Sequence, residues 1–172
     1  MDQRRADFDH FVIESTDGLL RTAYLIVFDL PEAEDLVQET LLKVAKRWRR
    51  IRRMEHPTAY ARRILVNLAL DSAGQRSRTR SELTGQTPPE RPDEAGDCAA
   101  VDTHDELVNA LAALPPRQRS VLVLRYFLDL PEAEVAAALS CSLGTVKSTS
   151  SRGLARLEQA LRTTNDPRSI AS

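Results

Sequence analysis

The sequence is poor in aromatic residues, glycine and cysteine, and each shortage narrows what the chain can be. Aromatic residues make up 5% of the 172 residues, and there are only 6 glycines. Alanine, leucine, arginine and glutamate are abundant, and no alternating run of β-branched residues occurs, so the composition predicts an all-α protein with aliphatic cores. The two cysteines, Cys98 and Cys141, lack the spacing of a metal or redox motif. We expect them to be reduced thiols.

Long apolar stretches are also missing. No run approaches the roughly 20 residues that a membrane-spanning helix requires, so we expect no membrane insertion. The first residues, MDQRRADFDHF, contain no apolar signal core, which predicts a cytoplasmic protein. The three histidines are scattered, and we expect neither a metal ion nor a cofactor. An enzyme is the least supported class, because there is no glycine-rich phosphate loop and no paired set of catalytic residues.

Charge is strongly segregated along the chain, although the net charge is only −1. Residues 1–42 contain 3 basic and 10 acidic side chains, whereas residues 43–80 contain 12 basic and 2 acidic ones. Residues 81–106 are acidic again, with 1 basic and 8 acidic side chains. Such blocks indicate that different segments face different partners, and the basic block at 43–80 is suited to nucleic acid.

Helical periodicity divides the chain into two parts. Apolar residues recur at helical spacing through the first 75 residues. The pattern then stops in the polar stretch SAGQRSRTRSELTGQTPPERPDEAGDC and returns at about Asp105. We therefore predict two small helical domains at 1–75 and 104–163, a flexible acidic linker at 76–103, and a disordered tail at 164–172.

The hexapeptide DLPEAE occurs twice, at residues 29–34 and 129–134. The sequences that follow the two copies diverge at once, so the duplication is not an internal repeat. In both copies aspartate precedes glutamate by three residues with a proline between them, which is typical of a capping box at a helix N-terminus. We predict that a helix begins at each copy.

The second copy begins a helix-turn-helix pattern. EAEVAAAL predicts a short helix with Val135, Ala136 and Leu139 inward, SCS interrupts it, and Ser142 is placed to cap a longer helix. The inward stripe predicted for the longer helix is Val146, Ser150, Leu154, Leu157 and Leu161.

The outward face of the longer helix then carries donors for base edges and phosphates. These donors are Thr145, Ser148, Thr149, Arg152 and Arg156, with Lys147 beside them. A solvated helical hairpin with no nucleic-acid role fits the same pattern, so both interpretations stay open on this evidence alone.

Several of these segments together resemble a known family. ALAALPPRQRSVLVLRYFLDLPEAEVAAALSCSLGTVKSTSSRGLARLEQAL is similar to domain 4 of the group 4, or extracytoplasmic-function (ECF), sigma factors of the sigma-70 family. AEDLVQETLLKVAKRW resembles region 2.2 of that family, and AYARRILVNLALDSAGQRSR resembles regions 2.3–2.4. The three motifs occur in the family's order over nearly the whole chain, and in length and detail they look most like the short SigE-like subfamily.

The resemblance implies a promoter-specific transcription initiation factor whose partners are core RNA polymerase and promoter DNA, and it allows an anti-sigma factor as a further partner. It places core-polymerase binding on an acidic and polar helix face, which suits a basic partner surface: Asp35, Gln38, Glu39 and Leu42. It places −10 DNA contacts on Arg53, Tyr60, Arg62, Arg63, Asn67, Asp71 and Arg76. It places −35 DNA contacts on Thr145, Lys147, Ser148, Thr149, Arg152 and Arg156.

Alternatives remain for individual side chains in the first domain. Trp48 and Tyr60 are the only aromatic residues near the basic block, and each fits either a core position or a stacking surface for an unpaired base. Asn67 and Asp71 fit either DNA contacts or hydrogen bonds within the helical bundle.

Two positions depart from the family's usual pattern. Ser140 stands where glycine is usual, at a cost of about 1 kcal/mol if its backbone is left-handed. Glu158 stands where a basic residue is usual, and we expect it to pair with Arg162 one helical turn later.

Two rival functions are considered for the whole chain. A helix-turn-helix repressor or response-regulator output domain would need a receiver or dimerisation domain, and residues 1–75 look like neither. An adaptor that binds polymerase without reading promoters would need neither the basic block at 43–80 nor the GTVKS helix face.

Overall fold

The structure is a computed structural model that describes the backbone of residues 2–84 and 103–164, with side chains described for residues 3–76 and 106–163. The helices are α1 (Asp2–Val27), α2 (Leu30–Lys46), α3 (Trp48–Ile51), α4 (Pro57–Thr84), α5 (Thr103–Ala112), α6 (Pro116–Leu122), α7 (Glu132–Ala138) and α8 (Leu143–Thr164). A π-helical turn, Val123–Phe127, continues α6. No strand occurs in these described ranges, and the prediction of an all-α fold is confirmed.

The first helical region, α1 to α4, is built around aliphatic side chains at the predicted spacing. Ile26, Val44, Ile51 and Leu65 are fully buried where the four helices meet. Trp48 belongs to this core, because only 9% of it is exposed and its ring lies 5.3 Å from the ring of Phe8 and 5.0 Å from that of Phe11. The core alternative for Trp48 is therefore the one that the structure supports.

The first DLPEAE copy begins a helix as predicted. The side chain of Asp29 accepts a hydrogen bond from the Glu32 amide at 2.8 Å, which satisfies one of the amides left unpaired at the start of α2. Just before it, Phe28 adopts a left-handed φ of 54° and its amide donates to the Tyr24 carbonyl at 2.7 Å. This arrangement ends α1 and turns the chain directly into α2.

A helix also begins within the second copy, as predicted, because α7 starts at Glu132, but the predicted capping by Asp129 is wrong. Here Asp129 itself is left-handed, with φ 50°, and α7 begins three residues later with Pro131 at its N-cap. The preceding π-helical turn already uses both backbone groups of Leu130. Its amide donates to the Leu124 carbonyl at 3.1 Å, and its carbonyl accepts from Arg125 Nη1 at 2.6 Å. These two bonds tie Leu130 to the preceding turn, and α7 starts at Glu132.

The second helical region contains the predicted helix-turn-helix, formed by α7 and α8. Val135, Ala136 and Leu139 are buried as expected, and the Ser142 side chain caps α8 by accepting from the Thr145 amide at 3.1 Å. Ser140 in the turn has a left-handed φ of 51°, which is the conformation that glycine usually supplies.

The inward stripe of α8 differs from the prediction. Thr149 is only 4% exposed and Gly153 is buried, whereas Leu154 is 41% exposed. A Cβ at Gly153 would lie 3.3 Å from the side chain of Leu122 on α6, so the two helices approach closely at the glycine. Close approach of the backbones selects Thr149 and Gly153 for the interface, and the assignment of Thr149 to the outward DNA-facing set is wrong for this reason.

The two helical regions pack against each other through α1 with α6 and through α4 with α7. Helix α4 continues to Thr84, past the predicted domain boundary at residue 75. Residues 85–102 of the predicted linker and residues 165–172 of the predicted tail lie outside the described residues.

Candidate polymerase and nucleic-acid interfaces

The outer face of α2 presents all four residues that the resemblance assigned to polymerase binding. Asp35, Gln38, Glu39 and Leu42 are exposed, while Leu36, Val37, Thr40 and Val44 on the opposite face are buried. Leu42 leaves 62% of its surface in solvent. An exposed leucine flanked by carboxylates is suited to bind a partner surface on which basic groups surround an apolar area.

A basic groove lies between the C-terminal end of α2 and the middle of α4. Asn67 and Asp71 line it together with Ile64 and Leu68 from α4, and the basic side chains come from Lys43, Lys46 and Arg47. The groove has a volume of about 370 Å³. Its cationic groups are suited to phosphates, and its amide and carboxylate can form hydrogen bonds with a base edge.

Tyr60, Arg62 and Arg63 lie on a different side of α4, facing α7. A second cavity, of about 210 Å³, is lined by these three residues and by Ala59 of α4, and by Leu130, Glu134, Ala137 and Ala138 from the other region. Arg63 Nη2 donates to Ser140 Oγ at 3.2 Å. Burial here lowers the pKa of the Arg62 guanidinium, and the nearby carboxylate of Glu134 opposes that effect.

Tyr60 connects the two cavities through its hydroxyl group. Its oxygen accepts a hydrogen bond from Arg47 Nη1 at 3.3 Å, and Arg47 also lines the basic groove. The ring itself is half-buried. Tyr60 thus lines the second cavity and contacts the groove only through Arg47, and its half-buried ring lies between the core position and the surface position that the sequence left open.

The remaining −10 candidates, Arg53 and Arg76, are separated from the groove. Arg53 is exposed in the loop between α3 and α4. Arg76 forms an ion pair with Glu32 at the start of α2, and Ser72 Oγ donates to the same carboxylate at 2.8 Å. The seven predicted residues therefore do not form one continuous surface.

The exposed face of α8 retains most of the predicted −35 set. Lys147, Ser148 and Arg152 are exposed, with Arg152 Nε donating to the Ser148 carbonyl at 3.3 Å. Thr145 is half-buried beside the cap, and its hydroxyl lies 2.9 Å from that of Ser142. Arg156 and the ion pairs of Lys147 and Glu158 also belong to α8.

Arg156 is half-buried and held within the fold, so it lies at the margin of this face. Lys147 Nζ lies 3.8 Å from a carboxylate oxygen of Glu132. The pair expected between Glu158 and Arg162 is present, at 2.5 Å.

Sequence reasoning missed the basic side chains of the groove. Lys43, Lys46 and Arg47 end the α2 helix at i, i+3 and i+4, a spacing that places them on one side of a helix. That spacing was a usable signal, although only the packing of α4 beside α2 shows that they face Asn67 and Asp71. The ion pair of Glu32 with Arg76 carried no local signal, because 44 residues separate its members.

Comparison with known proteins finds two regions of one family in this chain. The model of the family described as Sigma-70 region 2 matches residues 13–79, and that of Sigma-70, region 4 matches residues 104–157. The RNA polymerase sigma-E factor of Streptomyces coelicolor is 37% identical over 158 residues, which cover 90% of this chain and 86% of the relative. The ECF RNA polymerase sigma factor SigE of Mycolicibacterium smegmatis is 32% identical over 161 residues, covering 90% of this chain and 61% of the relative.

A solved structure shows the same arrangement of helices. The sigma factor RpoE of Bartonella quintana, crystallised in complex with the anti-sigma factor NepR, matches with a TM-score of 0.70 at 25% identity. The match covers 91% of this chain and 97% of RpoE. Regions 2 and 4, in this order and on this fold, define a promoter-specific transcription initiation factor that works with RNA polymerase. The chain belongs to the sigma-70 family, in its extracytoplasmic-function group and close to the sigma-E factors.

None of the helices that the structure describes is both long and apolar enough to cross a membrane. The family is one of non-catalytic initiation factors, and its members act by binding core polymerase and promoter DNA.

Proposed function

We propose that three separate surfaces divide the work of this sigma factor. The exposed face of α2 binds the clamp of core polymerase, the basic groove between α2 and α4 holds unpaired −10 DNA, and the exposed face of α8 reads the −35 element. The observation that carries the proposal is that each surface has side chains suited to one partner, with the Glu39–Lys43 ion pair at the border between the first two. The surfaces also differ in charge. Carboxylates predominate on the face of α2, whereas cations predominate in the groove and on the face of α8.

The −10 assignment centres on Asn67 and Asp71 together with the basic residues that end α2. Asn67 offers both a donor and an acceptor for a base edge, and the half-buried side chains of Ile64 and Leu68 supply apolar walls. The neighbouring cations hold the phosphates. Tyr60, Arg62, Arg63 and Arg53 extend this contact, and Arg76 joins it when its ion pair with Glu32 opens.

The −35 assignment rests on Lys147, Ser148 and Arg152, with Thr145 and Arg156 at the margins of the same face. Helix-turn-helix proteins place the N-terminal half of the second helix in the major groove. Lys147, Ser148 and Arg152 occupy that half of α8 and are exposed, whereas Thr145 and Arg156 are half-buried. Arg152 is the candidate for bidentate recognition of guanine.

We further propose that the chain has no catalytic activity of its own and acts in the cytoplasm, where polymerase and promoter DNA are found. The RpoE relative forms a complex with the anti-sigma factor NepR. An anti-sigma factor is accordingly a candidate partner for this chain as well.

The first experiment tests the clamp surface. Reversing two charges with Asp35→Lys and Glu39→Lys should weaken binding to core polymerase by about 100-fold or more, corresponding to ~3 kcal/mol. The matched control reverses Asp9 and Asp17, two exposed acids on α1, and should leave the affinity unchanged. Binding is measured by fluorescence anisotropy of the labelled chain, with helicity followed by circular dichroism. Equal affinity of the two double variants would place the polymerase contact elsewhere.

The second experiment tests promoter reading. Run-off transcription with core polymerase on fragmented genomic DNA, followed by mapping of start sites, should reveal a shared pair of upstream elements. The Arg152→Ala holoenzyme should lose 1–3 kcal/mol of discrimination, or roughly 5- to 150-fold, at one base of the −35 element only. The Asn67→Ala holoenzyme should instead lose strand opening at −10, read by permanganate. Transcription without any common upstream sequence would refute promoter recognition by these surfaces.

A further inference from the structure

Glu32 joins the start of α2 to the outer part of α4 through both oxygens of its carboxylate. Ser72 Oγ donates to Oε1 at 2.8 Å, and Arg76 Nη1 forms an ion pair with Oε2. Only 19% of the Glu32 side chain is exposed, whereas 47% of the Arg76 side chain is exposed. A carboxylate with a donor on each oxygen has a defined orientation, so Glu32 is a fixed point of contact between the two helices.

The backbone of Glu32 is held in place as well. Its amide donates to Asp29 Oδ1 at 2.8 Å, which is the cap that begins α2. The positive end of the helix dipole also favours a carboxylate in the first turn. Glu32 is therefore fixed on α2 by its amide and reaches α4 by its carboxylate, an arrangement that can set the position of one helix against the other.

The apolar core ends before the part of α4 that Glu32 contacts. Val66 and Ala69 are fully buried, but no residue of the range 70–76 is buried. Asp71, which lines the basic groove, belongs to this range. Apolar packing therefore fixes α4 up to Ala69, and the position of the helix beyond that point depends more strongly on the contacts of Glu32.

We propose that Glu32 is a positioning residue for −10 recognition: by holding the outer part of α4, it keeps Asp71 opposite the cations of the groove. The proposal rests on the proposed function, since it assumes that the groove holds −10 DNA. The two partners of the carboxylate have different tasks. Ser72 keeps α4 on α2 throughout, whereas the more exposed Arg76 is free to exchange the carboxylate for a phosphate.

A simpler role for the carboxylate predicts the opposite result, which makes the proposal testable. If Glu32 only neutralised Arg76, its removal would free a cation and strengthen contact with the −10 strand. If Glu32 positions α4, its removal weakens strand opening although the charge becomes more favourable for DNA. Ser72→Ala separates the two roles further, because it removes a hydrogen bond without changing any charge.

The variants are Glu32→Ala, Ser72→Ala and the double variant, and Asp17→Ala is the matched control. Asp17 is an exposed acid on α1, so its replacement removes the same charge from a different helix. Each variant is assembled with core polymerase on a promoter found by run-off transcription, and the rate of strand opening is read from permanganate reactivity of the −10 thymines. Affinity for core polymerase is measured in parallel by fluorescence anisotropy.

Glu32→Ala should slow strand opening by on the order of tenfold at unchanged affinity for core polymerase, because a small displacement of a contacting group is costly. Ser72→Ala should slow it to a smaller extent, and Asp17→Ala should not slow it. The double variant should open no more slowly than Glu32→Ala, since both changes remove the same contact.

The position of α4 is measured directly on the full chain. Spin labels are placed at Ala45 of α2 and Gly74 of α4, two exposed positions, in a background with Cys98→Ser and Cys141→Ser. Nothing lies within 4 Å of a Cβ at Gly74, so a label fits there. Pulsed electron resonance should give a narrow distance distribution in the parent chain and in the control, and a broader one in both single variants that break the contact.

Faster opening by Glu32→Ala overturns the positioning role, and so does opening by Ser72→Ala at the rate of the parent. Narrow distances in both variants overturn it as well, as does a loss of core affinity that accounts for the slower opening. Losses that multiply in the double variant show that Ser72 acts apart from Glu32 and contradict the shared contact. If the parent holoenzyme opens no promoter while the distances respond as expected, then the proposed function is at fault and the positioning of α4 by Glu32 stands.

Discussion

The duplicated hexapeptide allows one stability experiment in which identical residues should respond with opposite sign. Asp29 caps α2, whereas Asp129 occupies a left-handed position before α7 and caps nothing. We consider Asp29→Ala and Asp129→Gly. Both aspartates are exposed, so effects of burial are small at either position.

The magnitudes follow from the two local geometries. Asp29→Ala leaves the Glu32 amide without its 2.8 Å partner, a loss of about 1 kcal/mol for an N-cap. Asp129→Gly removes the strain of a left-handed backbone, which costs roughly 1–2 kcal/mol for a residue with a side chain. The greater conformational freedom of glycine in the unfolded chain offsets about 0.5–1 kcal/mol of this stabilisation. The expected difference between the two variants is therefore about 1.5 kcal/mol.

Urea and thermal unfolding, followed by far-ultraviolet circular dichroism, measure the difference. A change of 1 kcal/mol in the free energy of unfolding moves the thermal midpoint by roughly 4–8 °C in a domain of about 60–100 residues. Asp29→Ala should lower the midpoint and Asp129→Gly should raise it. Asp129→Ala serves as the control, because it removes the carboxylate but keeps a Cβ in the left-handed position. If Asp129→Gly destabilises the chain as much as Asp29→Ala does, then both copies cap helices and the geometry described for the second is incorrect.

Two further comparisons use paired positions and thermal unfolding. Gly18→Ala on α1 should stabilise the chain by up to about 1 kcal/mol, because nothing lies within 4 Å of the added Cβ. Gly153→Ala should not raise the stability of the chain, because its Cβ would lie 3.3 Å from the side chain of Leu122. A stabilisation equal to that of Gly18→Ala would contradict the close approach of α6 and α8. Thr149→Arg should unfold the second region while Ser148→Arg should not, and tolerance of arginine at both positions would show that Thr149 faces solvent.

The sequence predicted the helices of the first region well because their apolar stripes are unambiguous. Only one register of α1 or α2 buries its large aliphatic side chains, so periodicity alone selects Leu36, Val37 and Val44. In α8 two stripes have the same helical spacing. One contains Leu154, and the other contains Thr149 and Gly153. Hydrophobicity favours the stripe with Leu154, but the short distance between α8 and α6 selects the stripe with Thr149 and Gly153. The residue pattern of one helix does not reveal its distance from another helix.

The second DLPEAE copy marked a helix start correctly, but the cap predicted for its aspartate is absent for a related reason. A capping box is a local signal, yet its formation requires that the preceding chain leave the first residues free. The π-helical turn before Asp129 holds Leu130 by both its backbone groups. A π-helical turn has no strong sequence signature, so its effect on the next helix appears only in the structure.

The candidate site was predictable in its residue types and not in its grouping. Spacing alone predicted that Asp35, Gln38, Glu39 and Leu42 share one face of α2, since they belong to one helix, and the resemblance supplied the polymerase-binding role that we propose for that face. The seven −10 candidates span a loop and several turns of α4, and the structure divides them among a groove, the contact with α7 and an ion pair. Which side of α4 is covered depends on tertiary packing, which periodicity does not encode.

The charge blocks of the sequence acquire a physical meaning from these contacts. Basic residues of the 43–80 block pair with acids of the preceding block: Lys43 with Glu39 at 3.2 Å, Arg52 with Asp7 at 3.1 Å, and Arg76 with Glu32. Exposed pairs of this kind contribute little stability.

Their effect falls instead on DNA binding, because a phosphate must displace a carboxylate before it gains a cation, and fewer counterions are released per contact. The free chain should therefore bind DNA weakly in spite of its basic block. In the function proposed above, polymerase engages the face of α2 that includes Glu39, which changes this balance and brings both proposed DNA surfaces to one template at high effective concentration. Promoter reading that depends on polymerase is thus favoured by the charge arrangement itself.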